Sequence, residues 1–123
     1  MAKFTPDAVL DNFLNGIAIG SRITVLTAQP LVFADIAALQ LASAVLTPGN
    51  GNSFTHANGD ISGRKTTVGQ ATDLPITATG NGNHVAIDDG VNLLHVTTAT
   101  PQALTAGGTV TIPAWDIEIA DPI

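Results

Sequence analysis

The sequence predicts a mainly β protein, a β-sandwich or jelly-roll-like domain with one or two short N-terminal helices. Three observations carry this. From Thr66 onward, short runs of Thr, Val, Ile and Ala are cut by Gly, Pro and Asn, the pattern of short strands joined by turns. The segment Trp115-Asp116-Ile117-Glu118-Ile119 alternates strictly, which is the period of a half-buried strand. Near the start, Val9, Leu10, Phe13, Leu14 and Ile17 recur at helical spacing.

The 123 residues make one domain. Within it, residues 1–5 read as a candidate arm reaching to a neighbour, 6–47 as a helix–strand–helix segment, and 66–121 as the β-rich core. In the first helix Thr5 is the expected N-cap, Pro6 suits the first turn, and Asp7 complements the positive end of the dipole. Gly16 or Gly20 ends it. Arg22 to Thr27 is a β-branched run and reads as a strand. FADIAALQLASA (33–44) is rich in Ala and Leu, with Phe33, Ile36, Ala37 and Leu41 at helical spacing, and reads as a second short helix.

The stretch 48–52 is a loop without period. Strands are expected at 66–71, 74–79, 83–88, 92–98, 109–112 and 114–120. The tetrapeptide GNGN occurs at 49–52 and 80–83, and both copies read as turns. Pro113 has no amide donor, so it marks a bend between two strand segments. The final alternating strand puts Trp115, Ile117 and Ile119 on one face, and deleting it should unfold the domain.

HVAIDDGVNLLHVTTA (84–99) holds two histidines and two aspartates that could form a metal or acid–base site. It also reads as a β-hairpin turning at Asp89-Gly90. A two-residue turn sets His84 opposite His95, with Cβ atoms ~5 Å apart. A three-residue loop sets Ile87 opposite Val91 and sends the histidines to opposite faces. In the first register the turn still lies ~13 Å along the strand from His84. Metal–ligand bonds are only ~2 Å long. Neither register brings His and Asp together, so the hairpin reads as scaffold; a site would need His56, Asp60 or a neighbouring chain.

HANGDISGRK (56–65) gathers His56, Asp60, Ser62, Arg64 and Lys65. It reads as a solvated loop turning at Asn58-Gly59, with Arg64 and Lys65 as the alternative contact for an acidic partner. Gly80-Asn81-Gly82 leads into a strand and lacks the lysine of a phosphate loop. No Gly-x-Ser-x-Gly elbow occurs. With no cysteine, no tyrosine and Glu118 as the sole glutamate, general acid–base and nucleophilic groups are scarce. Asp116 and Glu118 share a strand face as a glycosidase pair would, but a solvent-facing polar row is the commoner meaning. No catalytic, cofactor or metal residue is assigned.

The net charge is -6, from ten acids against four bases, a surface that repels nucleic acid. Charged residues make up 11 % of the chain, against ~25 % in ordinary soluble proteins. No apolar run approaches the ~20 residues of a spanning helix, so no membrane role is expected. Asp7, Asp11 and Asn12 interrupt any signal-peptide core. A surface this poor in charge implies burial against other protein, with plain compositional bias as the alternative.

The succession SGRK (62–65), HVAIDDG (84–90), LLHVTT (93–98) and LTAGGTVTIPAWDIEIADP (104–122) resembles small virion proteins of tailed bacteriophages and prophages, encoded among head and tail genes. The likeness extends over residues 5 to 121. It implies a mainly β domain that assembles in repeated copies on a capsid or tail, commonly as a head decoration (cement) protein. Its implied partners are the major capsid protein or other virion subunits and sister copies, a homo-oligomer with a trimer among the options. It implies synthesis in the host bacterial cytoplasm, residence on the virion surface, and no cofactor or enzymatic activity. A tail, neck or fibre component is the nearest alternative. A small β-sandwich module binding sugar or metal is the alternative of another class.

Overall fold

The computed structural model describes residues 4–121 and is built mainly of antiparallel strands. Helix α1 spans Asp7–Ala18. It is followed by β1 (Arg22–Leu26), a 3-10 turn (Phe33–Asp35), a single-turn helix α2 (Ile36–Leu39) and β2 (Gln40–Val45). Then come β3 (Phe54–Asn58), β4 (Arg64–Val68), β5 (Ala71–Pro75) and β6 (Gly80–Asp88). The described chain closes with β7 (Leu93–Leu104), β8 (Thr109–Ile112) and β9 (Trp115–Ile119).

Three antiparallel sheets form, in the orders β2-β1-β6-β7, β3-β4-β9 and β5-β8. An isolated bridge, Ala42 to Ile76, ties the third sheet to the β2 edge of the first. Alternate residues of every sheet meet in one core: Ile23, Val85 and Ile87 from the first, Phe54 and Ile117 from the second, Leu74 from the third. The architecture is sandwich-like and mainly β, as the strand spacing predicts.

The first sheet is covered on its other face too. Leu26 and Ala86 pack there with Ile36 of α2, flanked by Phe33 and Val96. Covered on both sides, β1 is buried at every position from Ile23 to Leu26, Thr24 included, rather than at alternate ones. The last strand, with one face in water, alternates as expected: Ile117 is buried while Asp116 and Glu118 are exposed.

Several sequence expectations are corrected. Thr5 does not cap α1; Pro6 holds the N-cap position without a side-chain bond, and the Thr5 amide donates instead to Asp121 Oδ1 at 3.4 Å. Leu10, Leu14 and Ile17 are buried, but Val9 and Phe13 of the same stripe face solvent. The segment 6–47 is not helix–strand–helix: the helix after β1 ends at Leu39, and QLASAV forms β2 against β1. Pairing along a neighbouring strand overrides the helical propensity of Ala and Leu. The strands are not confined to 66–121: β1 and β2 belong to the first sheet, and FTHAN (54–58) pairs residue for residue with Arg64–Val68. The second GNGN is strand, not turn: at Gly82 a Cβ would lie 2.9 Å from Val25 Cγ1, so the close packing of β6 on β1 requires glycine. Of the arm, Met1 to Lys3 lie outside the described residues, and Phe4 is exposed.

Candidate functional site

The β6–β7 hairpin adopts neither expected register. Ile87 pairs with His95, His84 with Thr98, and Asp88 with Leu93. The loop is four residues, Asp89 to Asn92, and aspartate side chains shape it. Asp89 Oδ1 accepts the amides of Val91 (2.9 Å) and Asn92 (2.6 Å), and Asp88 Oδ1 accepts that of Gly90 at 2.9 Å. The backbone bonds from Asn92 and Val91 hold the Asp89 carboxyl below the usual carboxylate range.

This register separates the histidines. His84 projects from the face that carries Leu26, and its Nδ1 lies 2.7 Å from Asn83 Oδ1. His95 projects from the opposite face and packs at a tilt of 31° against Trp115 of β9, ring centroids 5.7 Å apart. Burial lowers the basicity of the His95 ring. His56 sits elsewhere, between Thr66 Oγ1 (2.9 Å) and Asn15 Oδ1 (2.8 Å), joining the second sheet to α1. Among the described residues no three His, Cys, Asp or Glu side chains gather closely enough to hold a metal ion.

The HANGDISGRK segment is the β3–β4 hairpin, and its cations are already committed. Arg64 Nε donates to Asp11 Oδ1 at 2.8 Å, fastening α1 to β4. Lys65 Nζ bridges Asp60 (2.8 Å) and Asp116 (3.2 Å). Both bases are held above their ordinary values, Arg64 by its bond to Asp11 and Lys65 by those to Asp60 and Asp116. An open basic surface for an acidic partner, the alternative reading of Arg64 and Lys65, is therefore not what these residues present.

The Asp116–Glu118 row is bonded as well. Asp116 accepts from Thr67 Oγ1 at 2.7 Å and from Lys65, which together hold it below the usual range. Glu118 Oε1 accepts the Asp60 amide. A carboxyl kept ionised is a poor proton donor, so Asp116 is ill suited to the acid role in a glycosidase pair.

Two features were not read from the sequence. One is the ion pair of Arg22 with the wholly buried Asp88, Nε to Oδ2 3.0 Å, with the guanidinium 5.8 Å above the Phe33 ring. Only the pairing of β1 with β6 brings these residues together. The other is a groove where β7 passes the β8–Pro113–β9 corner. It comprises two adjoining depressions of about 260 and 360 Å³ that share Val85, Ala99, Ile112 and Pro113. Pro113 marked the bend, but nothing local indicated that β7 would cross it.

One edge of the molecule carries no charged side chain. β7 is the edge of the first sheet, has a strand neighbour on one side only, and contains no Asp, Glu, Lys or Arg over its 12 residues. Its protection is structural: Pro101 lies where the register shifts between Gly82 and His84. No helix among the described residues is long and apolar enough to cross a membrane. No family model matches the chain, and no curated protein or solved structure matches it.

Proposed function

We propose that this chain is a non-enzymatic structural protein of a bacteriophage virion, most specifically a capsid decoration protein that stabilises the head by bridging subunits. The observation that carries the reading is the state of its charges. All three described basic side chains are spent in ion pairs within the chain, and long stretches of surface, β7 above all, carry no charge. Such a surface is suited to burial against other protein, and repeated weak contacts over a shell add up to firm retention. The resemblance of the SGRK, HVAIDDG and LTAGGTVTIPAWDIEIADP segments to small virion proteins points the same way. The partners in this reading are the major capsid protein and sister copies.

Quantitative mass spectrometry of purified particles tests it. Copies in the hundreds per particle are expected of a decoration protein, and a handful of copies would move the assignment to tail, neck or fibre. Absence from particles would overturn the virion reading. The groove beneath Pro113 favours a second reading, a small binding module. Stoichiometric binding of a glycan on an array, or of a divalent metal by calorimetry, would support that module instead.

A further inference from the structure

Two loops at one end of the first sheet hold large apolar side chains in solvent at the same place. Leu31 (77 % exposed) and Val32 (56 %) come from the loop before α2, and Val91 (73 %) comes from the β6–β7 turn. With Phe33, Ala34 and Leu93 they line one depression of about 480 Å³. Neither loop is slack. Asp35 Oδ2 accepts the amides of Leu31 and Val32 at 2.9 and 3.3 Å, and Asp89 fixes Val91 and Asn92 in the same manner. Each carboxylate thus fixes the backbone of residues that line the depression and brings a negative charge within hydrogen-bond distance of that backbone. Neither Asp35 nor Asp89 makes an ion pair among the described residues.

We propose that this depression docks a segment of another protein in which an apolar anchor is flanked by lysine or arginine. Exposed apolar side chains on preset loops offer a small hydrophobic seat whose ordering cost is already met. The two flanking carboxylates select cations at its rim and disfavour acidic competitors. Arg22 also reaches this end, over the Phe33 ring, but Asp88 neutralises it. A second copy of this chain is a poor occupant. Its Arg22, Arg64 and Lys65 are each held by its own aspartates, its Lys3 lies outside the described residues, and two chains of charge -6 repel. The inference stands apart from the virion reading, because it concerns the chemistry of the patch alone.

The test uses the isotope-labelled full chain and two synthetic peptides with the same leucine-rich centre, one flanked by lysines and the other by glutamates. The lysine-flanked peptide is expected to shift the amide resonances of residues 31–34 and 89–93. That shift should weaken several-fold as salt is raised, and the glutamate-flanked peptide should leave these resonances in place. The double variant Leu31→Ser, Val91→Ser should lose the response while keeping the rest of its spectrum, since both side chains lie in solvent. Equal effects of the two peptides, no effect of either, or shifts confined to another surface would overturn the proposal. So would concentration-dependent shifts of the same amides without peptide, which would make the patch a self-association surface. None of these outcomes depends on particles, so the virion assignment stands or falls separately.

Discussion

Arg22 and Asp88 face each other across β1 and β6, Nε to Oδ2 3.0 Å, with the carboxylate wholly buried and the guanidinium partly in water. Removing the cation leaves Asp88 with the Gly90 amide as its remaining side-chain partner. Arg22→Ala should therefore cost about 2–3 kcal/mol in urea unfolding, below the about 3–5 of a wholly buried pair. Replacing both residues, Arg22→Met with Asp88→Leu, should cost less than the single change, because no stranded charge remains.

The His95 ring packs against Trp115, and burial favours its neutral form. A ring made less basic by folding binds its proton later than it does in the unfolded chain. Its contribution is therefore complete above the ordinary value of 6.5 and declines as pH falls below it. Urea midpoints measured from neutral to mildly acid pH should fall across that window, and His95→Gln should flatten the decline. Trp115 is the only tryptophan, so its fluorescence reports the same titration in the folded state.

Thr24 is fully buried on β1, and its hydroxyl has no hydrogen-bond partner among the described residues. Thr24→Val replaces that hydroxyl with a methyl of similar size. Stability should rise by about 1 kcal/mol, read as an increased urea midpoint with unchanged slope.

Gly63 turns the β3–β4 hairpin at φ +70°, and a Cβ there would press into the Ile119 carbonyl oxygen. Gly90 also has positive φ, at +91°, but nothing stands within 4 Å of its added Cβ. Gly63→Ala should cost about 3 kcal/mol, from strain and clash together. Gly90→Ala should cost about 1 kcal/mol, from strain alone. Thermal unfolding of the two variants side by side separates the two effects.

What the sequence revealed was whatever is written locally. α1 and β9 each carry a one-sided apolar pattern and each forms where that pattern lies, although Val9 and Phe13 of the α1 stripe stay in solvent. Pro113 separates β8 from β9 for want of an amide. The misread segments are those whose conformation is decided by a distant partner. QLASAV is a strand because β1 lies beside it, and FTHAN because β4 does. The hairpin register was misread although its determinants are local. Asp88 and Asp89 each accept the amide two residues on, and these successive Asx-type bonds open a four-residue loop in place of the two- or three-residue turn that Asp-Gly suggests. The ion pairs of Arg22, Arg64 and Lys65 depend on tertiary neighbours, and so the fate of the charges was legible only as a total.

The pairing of β4 with β9 links Lys65 to Asp116, 51 positions along the chain. Closures this remote are slow, and β-rich domains complete them in roughly milliseconds to seconds. Until β9 arrives, β4 offers an unfilled edge, which the segment beyond Pro113 of a sister molecule can fill when the chains are concentrated. Refolding at high concentration is therefore expected to yield some strand-exchanged dimers, which size-exclusion chromatography would resolve from the monomer.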